Sequence, residues 1–157
     1  MFQTRTRRMA STVVMIAALV VLALPAAAGQ QVPFKGYADD MATSLEPTPD
    51  GGIHLTNAAT GQATQLGRFT RVGSGDIHPD GTLEATLVWT AANGDQLFSD
   101  VEVASLSATT ITGTYRFTGG TGRFQNASGE ADFVGVTSDD IHYAVLFSGT
   151  ISSPGAN

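Results

Sequence analysis

From Val32 onward the apolar residues recur every second position, and no stretch carries a helical period. That alternation is the pattern of strands with one face buried, because successive side chains on a strand point to opposite faces. Residues 83–91 (LEATLVWTA) put Leu83, Ala85, Leu87 and Trp89 on one face and Glu84, Thr86, Val88 and Thr90 on the other. Asn93-Gly94 follows and predicts a type I′ hairpin turn. The returning strand, 95–104, puts Leu97, Val101 and Val103 on one face, with Phe98, Asp100 and Glu102 opposite.

The same pattern predicts further strands at 33–38, 51–58, 62–73 (with Leu66 and Val72), 109–118, 129–137 and 141–152. The total is eight. The connections read as Asp50-Gly51-Gly52, Thr60-Gly61, Pro79-Asp80-Gly81, Asn93-Gly94, Gly119–Gly122 and Asp139-Asp140. They are short, so strands adjacent in sequence should pair antiparallel. Gly36, Gly67, Gly113, Gly135 and Gly149 fall inside predicted strands, where glycine marks a bend, a bulge or close backbone approach. Closing a barrel needs such bends and removes sheet edges that would otherwise pair with other chains. The expectation is an all-β fold, an eight-stranded antiparallel closed β-barrel.

The start of the chain has a different character. Arg5, Arg7 and Arg8 precede an apolar run, Val13–Leu24, which Pro25 ends and Ala26-Ala27-Ala28 follows. This is the pattern of a signal peptide cleaved after Ala28. The run is short for a membrane anchor, which needs about 20 residues. Arg7-Arg8 also allows twin-arginine export. The expected organisation is therefore a signal peptide at 1–28 and one barrel domain at 29–157, secreted or periplasmic. Cleavage leaves five basic against 14 acidic residues, a net charge of −9. That charge disfavours nucleic acid, whose binding needs cationic side chains to displace counterions. The chain has no cysteine, so disulfides and thiolate chemistry are excluded. An outer-membrane barrel would need an apolar outer band with aromatic girdles. Threonine-rich second faces argue against one, and no stable membrane insertion is expected after cleavage.

The most distinctive segment is Thr118–Glu130, TGGTGRFQNASGE. Gly119, Gly120, Thr121 and Gly122 allow a tight loop. Phe124 is placed to plug the barrel end, and Arg123 to pair with a nearby carboxylate. A phosphate-binding loop is not indicated, since no Gly-Lys-Ser/Thr and no helix follows. The loop reads as structural. With the preceding Tyr115-Arg116-Phe117 it resembles the GGTGRF-x-x-A-x-G segment of the allene oxide cyclase and dirigent-like barrel superfamily. Ala91–Asp95 and Gly61–Gly67 are similar to that pattern too. The resemblance implies an eight-stranded barrel around a cavity that steers reactive small molecules without a cofactor, in a chain that admits a homo-oligomer, dimer or trimer. It transfers no catalytic residue.

The candidate cavity lining is Leu87, Trp89, Val101, Tyr115, Tyr143 and Val145, the apolar and aromatic residues in phase on the inner face. Glu84, Asp100, Glu102 and Asp132 alternate with that face and should point into water. Asp76, His78 and Asp80 alternate on one loop, but a solvated acidic loop is the preferred reading over a metal site. His54, His78 and His142 lack ligand spacing. Serine, histidine and aspartate are present, yet Gly73-Ser74-Gly75 lacks the spacing of a G-x-S-x-G nucleophile elbow. Two functions remain open. One is a barrel that binds a small apolar molecule; the other is a cofactor-free cyclase or isomerase. An inner cavity of roughly 300 Å³ or more with an inward polar group would favour the second, and a filled barrel would exclude it.

Overall fold

The structure, a computed structural model, describes residues 30–155. The expected signal peptide, 1–28, lies outside the described residues. Eight strands form one closed antiparallel barrel in chain order. They are β1 (Gln31–Pro47), β2 (Ile53–Ala63), β3 (Gly67–Ile77), β4 (Leu83–Ala91), β5 (Gln96–Leu106), β6 (Thr110–Gly120), β7 (Gly129–Thr137) and β8 (His142–Ser152). A 3₁₀ turn, Gly122–Phe124, lies between β6 and β7. β1 and β8 close the sheet, in register from Gln31 opposite Ser152 to Met41 opposite His142. Closure pairs both edges of the sheet.

The two halves of the interior differ. At one end Phe34, Phe69, Trp89, Phe117 and Phe147 are all buried and pack ring against ring. Phe34 meets Phe117 edge-on at 4.7 Å and Trp89 meets Phe147 edge-on at 5.5 Å. Such pairs add roughly 0.5–1.5 kcal/mol each beyond the area they bury. Leu66, Leu97, Phe124 and Ile151 complete this closed end. Backbone close to the rings must be bare. A Cβ on Gly36 would lie 2.8 Å from the Phe147 ring, and one on Gly61 would lie 2.8 Å from the Phe69 ring.

Several sequence expectations require correction. The predicted strands 51–58 and 62–73 are displaced: β2 runs through Thr60-Gly61, and the reversal comes at Thr64–Leu66. Gln65 takes a left-handed backbone there (φ 57°), which its residue type does not announce. Gly61 is a packing glycine inside the strand and not a turn residue. Leu66 is buried in the reversal, whereas Val72 faces outward and is 58% exposed. β1 extends to Pro47, well beyond the predicted 33–38. The β4–β5 connection is not type I′. Gly94 has φ 90° but Asn93 does not have a positive φ. The Gly94 N–H donates to the Ala91 carbonyl, and the Ala91 N–H donates to the Asp95 carbonyl. This is a three-residue hairpin, with glycine supplying the left-handed step. The outer faces also hold more than threonine: Tyr37, Val134, Val136 and Leu146 point outward.

Candidate functional site

The other half of the interior is an apolar cup of about 250 Å³. Its mouth lies at the end carrying the β1–β2, β3–β4, β5–β6 and β7–β8 turns, and Leu45, Ile53, Ile77, Leu83, Leu106 and Ile111 supply apolar wall. Five of the six predicted lining residues reach it: Leu87, Val101, Tyr115, Tyr143 and Val145. Trp89 does not. It is fully buried beneath the cup, and its indole N–H donates to Ser99 Oγ at 2.9 Å.

The floor is polar, and here the structure adds residues absent from the sequence-based set. Arg71, on β3, is 2% exposed and forms an ion pair with Asp40 on β1. Its Nη1 donates to the Tyr115 hydroxyl at 3.0 Å. The guanidinium lies 4.6 Å from the Trp89 ring centroid and 5.4 Å from that of Tyr115. A cation over an aromatic face gains electrostatic attraction, more so where water is excluded. Asn57 Nδ2 donates to both Asp40 oxygens, at 2.8 and 3.0 Å. Tyr115 is held from behind by Phe133, stacked at 4.4 Å. Gly73 makes room for the arrangement, since a Cβ there would lie 2.2 Å from Asn57 Oδ1. Arg71 Nε is buried without a hydrogen-bond partner among the described residues. An unpaired buried donor is costly and uncommon in folded proteins.

Burial pushes the Tyr115 hydroxyl up from its ordinary pKa, against the opposing pull of Arg71. Tyr143, at the cup wall, is also raised, by burial first and then by Asp140, Asp139 and Asp40. Both phenols are therefore neutral at pH 7 and can donate a proton in a hydrogen bond. The cup thus offers an apolar wall, two neutral phenols, a carboxylate and a cation with one spare donor.

The glycine-rich loop sits at the opposite, closed end. Phe124 is buried in the core cluster. Arg123 Nε lies 3.5 Å from Asp95 Oδ2. Thr121 exchanges hydrogen bonds with Gln96, its N–H donating at 2.8 Å and its Oγ1 accepting at 2.9 Å. Gly122 has φ 53°, and a Cβ there would lie 2.0 Å from Asp95 Oδ1. Gly119, with φ 126°, and Gly120 sit opposite Phe98 and Leu97 on β5. The segment packs against the barrel end and does not touch the cup.

Glu84, Asp100, Glu102 and Asp132 are exposed on the outer wall. The Asp76, His78, Asp80 segment is divided among other contacts. Asp76 pairs with His54 at 2.7 Å, and Asp80 accepts from Thr82. His142 pairs with Asp139 at 2.7 Å.

Arg71 and Asp40 escaped sequence reasoning for different reasons. The misplaced reversal put Val72 in the inward phase, so Arg71 fell outside. Read from Phe69, the phase Phe69, Arg71, Gly73, Gly75, Ile77 would have flagged a charged residue pointing inward. Asp40 is in phase with Phe34 and Ala38, but the strand containing it was ended too early.

No protein-family model and no curated protein matches the sequence. Among solved structures, the chain is similar to a pterocarpan synthase dirigent protein, with a TM-score of 0.64 and 14% sequence identity. The similarity covers 88% of this chain and 97% of that one. The two share an eight-stranded barrel fold.

Proposed function

We propose that this protein binds a small, mostly apolar molecule in the cup and orients it by one polar group at the floor. The observation that carries this reading is the buried Arg71 Nε–H, left without a hydrogen-bond partner among the described residues at the floor of a mostly apolar cup. A ligand acceptor such as a carbonyl or phenol oxygen would satisfy it. Pockets of this kind draw affinity from apolar walls and orientation from a few placed polar groups. We propose further that the protein is exported and belongs to the dirigent-like barrels; the Arg-rich, apolar N-terminus and the shared fold support this.

The test uses N-phenyl-1-naphthylamine, a lipophilic probe whose emission rises in apolar surroundings. The expected result is saturable binding at one site, abolished by Leu87→Trp, which fills the cup. Saturable binding should also quench Trp89, which lies below the floor and is the single tryptophan of the chain. An absence of saturable binding, or binding indifferent to Leu87→Trp, would overturn the proposal. Export predicts a purified extracellular form that begins at Gly29.

A second reading is favoured by the juxtaposition of Asp40, Arg71 and the neutral Tyr115. A carboxylate and a proton donor bridged by a guanidinium could stabilise charge as it moves through a bound molecule. That supports a cofactor-free cyclase or isomerase of the allene oxide cyclase or dirigent type. It predicts that Tyr115→Phe leaves probe binding intact while turnover of any substrate is lost.

A further inference from the structure

On the outer wall, away from the cup, three side chains on β2 and β3 form a relay. Ser74 Oγ lies 3.2 Å from His54 Nε2. His54 Nδ1 lies 2.7 Å from Asp76 Oδ1. The register explains the grouping: His54 sits opposite Asp76, and Thr56 sits opposite Ser74. All three side chains thus share the outer face within a patch two residues long on each strand. The aspartate accepts the Nδ1 proton, so Nε2 is the acceptor facing the serine hydroxyl. A nucleophile bonded to a base, itself oriented by a third group, is the arrangement that activates a serine, and it is recognised by geometry and not by sequence spacing.

We propose that Ser74, His54 and Asp76 form a nucleophilic site for small activated esters. Ser74 Oγ attacks the acyl carbon while its proton passes to His54 Nε2. The acyl–oxygen bond then breaks, and the departing alcohol takes that proton. Water, deprotonated by His54, then attacks the acyl carbon; the acyl–Oγ bond breaks to give a carboxylic acid, and His54 returns the proton to Ser74 Oγ. The groups beside Ser74 limit the reach of this chemistry. Thr56 and Thr86 stand opposite it on the flanking strands, and the Thr56 hydroxyl is already bonded to Thr43 at 2.8 Å, so the oxyanion has at most threonine hydroxyls to lean on. Hydroxyls on an exposed wall stabilise an oxyanion less than preorganised donors in a dry site. Esters with good leaving groups, such as aryl esters, are therefore the class it takes.

The surroundings also select by charge. Asp76, Glu84 and Glu102 stand side by side across β3, β4 and β5, with Asp100 nearby, along one groove. Arg116 at the far side is engaged with Glu102 at 3.6 Å and Glu130 at 3.0 Å. The groove next to Ser74 is therefore acidic and favours a cationic ester over an anionic one.

The full chain would be incubated with a fluorophosphonate probe, and its aryl-ester hydrolysis assayed in parallel. The expected adduct maps to Ser74 by peptide mass, and Ser74→Ala abolishes it. His54→Gln should slow both labelling and hydrolysis about a hundredfold, the contribution of a positioned general base. Asp76→Asn should slow them less, with thermal unfolding unchanged because all three groups are exposed. Failure to label Ser74, or labelling that survives His54→Gln, overturns the site. An aryl ester with a trimethylammonium group should be cleaved faster than its carboxylate counterpart, and equal rates would overturn the assigned charge preference. Saturating the cup with N-phenyl-1-naphthylamine should leave labelling untouched, which separates this site from the cup.

Discussion

Arg71 illustrates how one residue can set both stability and chemistry. Its charge is held under the cup by Asp40, the Tyr115 hydroxyl and two ring faces. Removing one partner of a buried pair leaves the other uncompensated and costs about 3–5 kcal/mol. Arg71→Met is therefore expected to lower stability to urea by about 3 kcal/mol, near the bottom of that range because Asp40 keeps Asn57 as a donor. Adding Asp40→Asn should recover much of the loss, and a single variant as stable as the parent would contradict the pairing. Gly73 belongs to the same unit, since any side chain there would displace Asn57.

At the scale of elements, the glycine-rich loop and the strands it joins act as a stopper. Phe124 is 1% exposed among the rings of the closed end. Phe124→Ala should cost roughly 3–5 kcal/mol, the usual penalty for emptying a core aromatic site. A calorimetric melt would register it as a large drop in Tm, whereas probe binding at the far cup should persist. Much of this level was legible in the sequence. β4 to β8 were readable because large residues such as Trp89, Tyr115, Phe133 and Phe147 mark the inner phase, and Gly94 and Gly119–Gly122 mark two of the four turns. β1 to β3 were harder. Ala38, Asp40 and Ala42 give β1 a faint inner stripe, and the β2–β3 reversal takes left-handed backbone at Gln65 as well as at Gly67. A glycine serving two tight neighbours, as Gly61 does, looks the same in sequence as a glycine making a turn. That ambiguity shifted a strand and hid Arg71, because the cup's chemistry depends on phase, while Asp40 was hidden by ending β1 too early.

Over the whole molecule, the two ends respond differently to acid. Three of the turns around the mouth are tied by carboxylates. Asp50 accepts from Thr48, Asp80 from Thr82, and Asp139 from the His142 N–H, the His142 ring and the Ile141 N–H. These bonds hold all three below the ordinary value of 3.8, led by the Thr48 hydroxyl, the Thr82 hydroxyl and the His142 N–H respectively. A lowered folded-state pKa contributes stability that is present above the unfolded value and lost as pH falls through the folded one. Hydrogen-exchange protection should therefore fall at the mouth turns below about pH 4, while the Thr64–Leu66 reversal and the β6–β7 loop keep theirs. Equal loss at both ends would refute the asymmetry. The aromatic packing at the far end has one more consequence, which concerns traffic. A barrel sealed on one side has no exit distinct from its entrance. Any molecule that the cup takes in must leave past the rim it entered, so a lingering product and an arriving substrate exclude each other and occupancy stays at one molecule per chain.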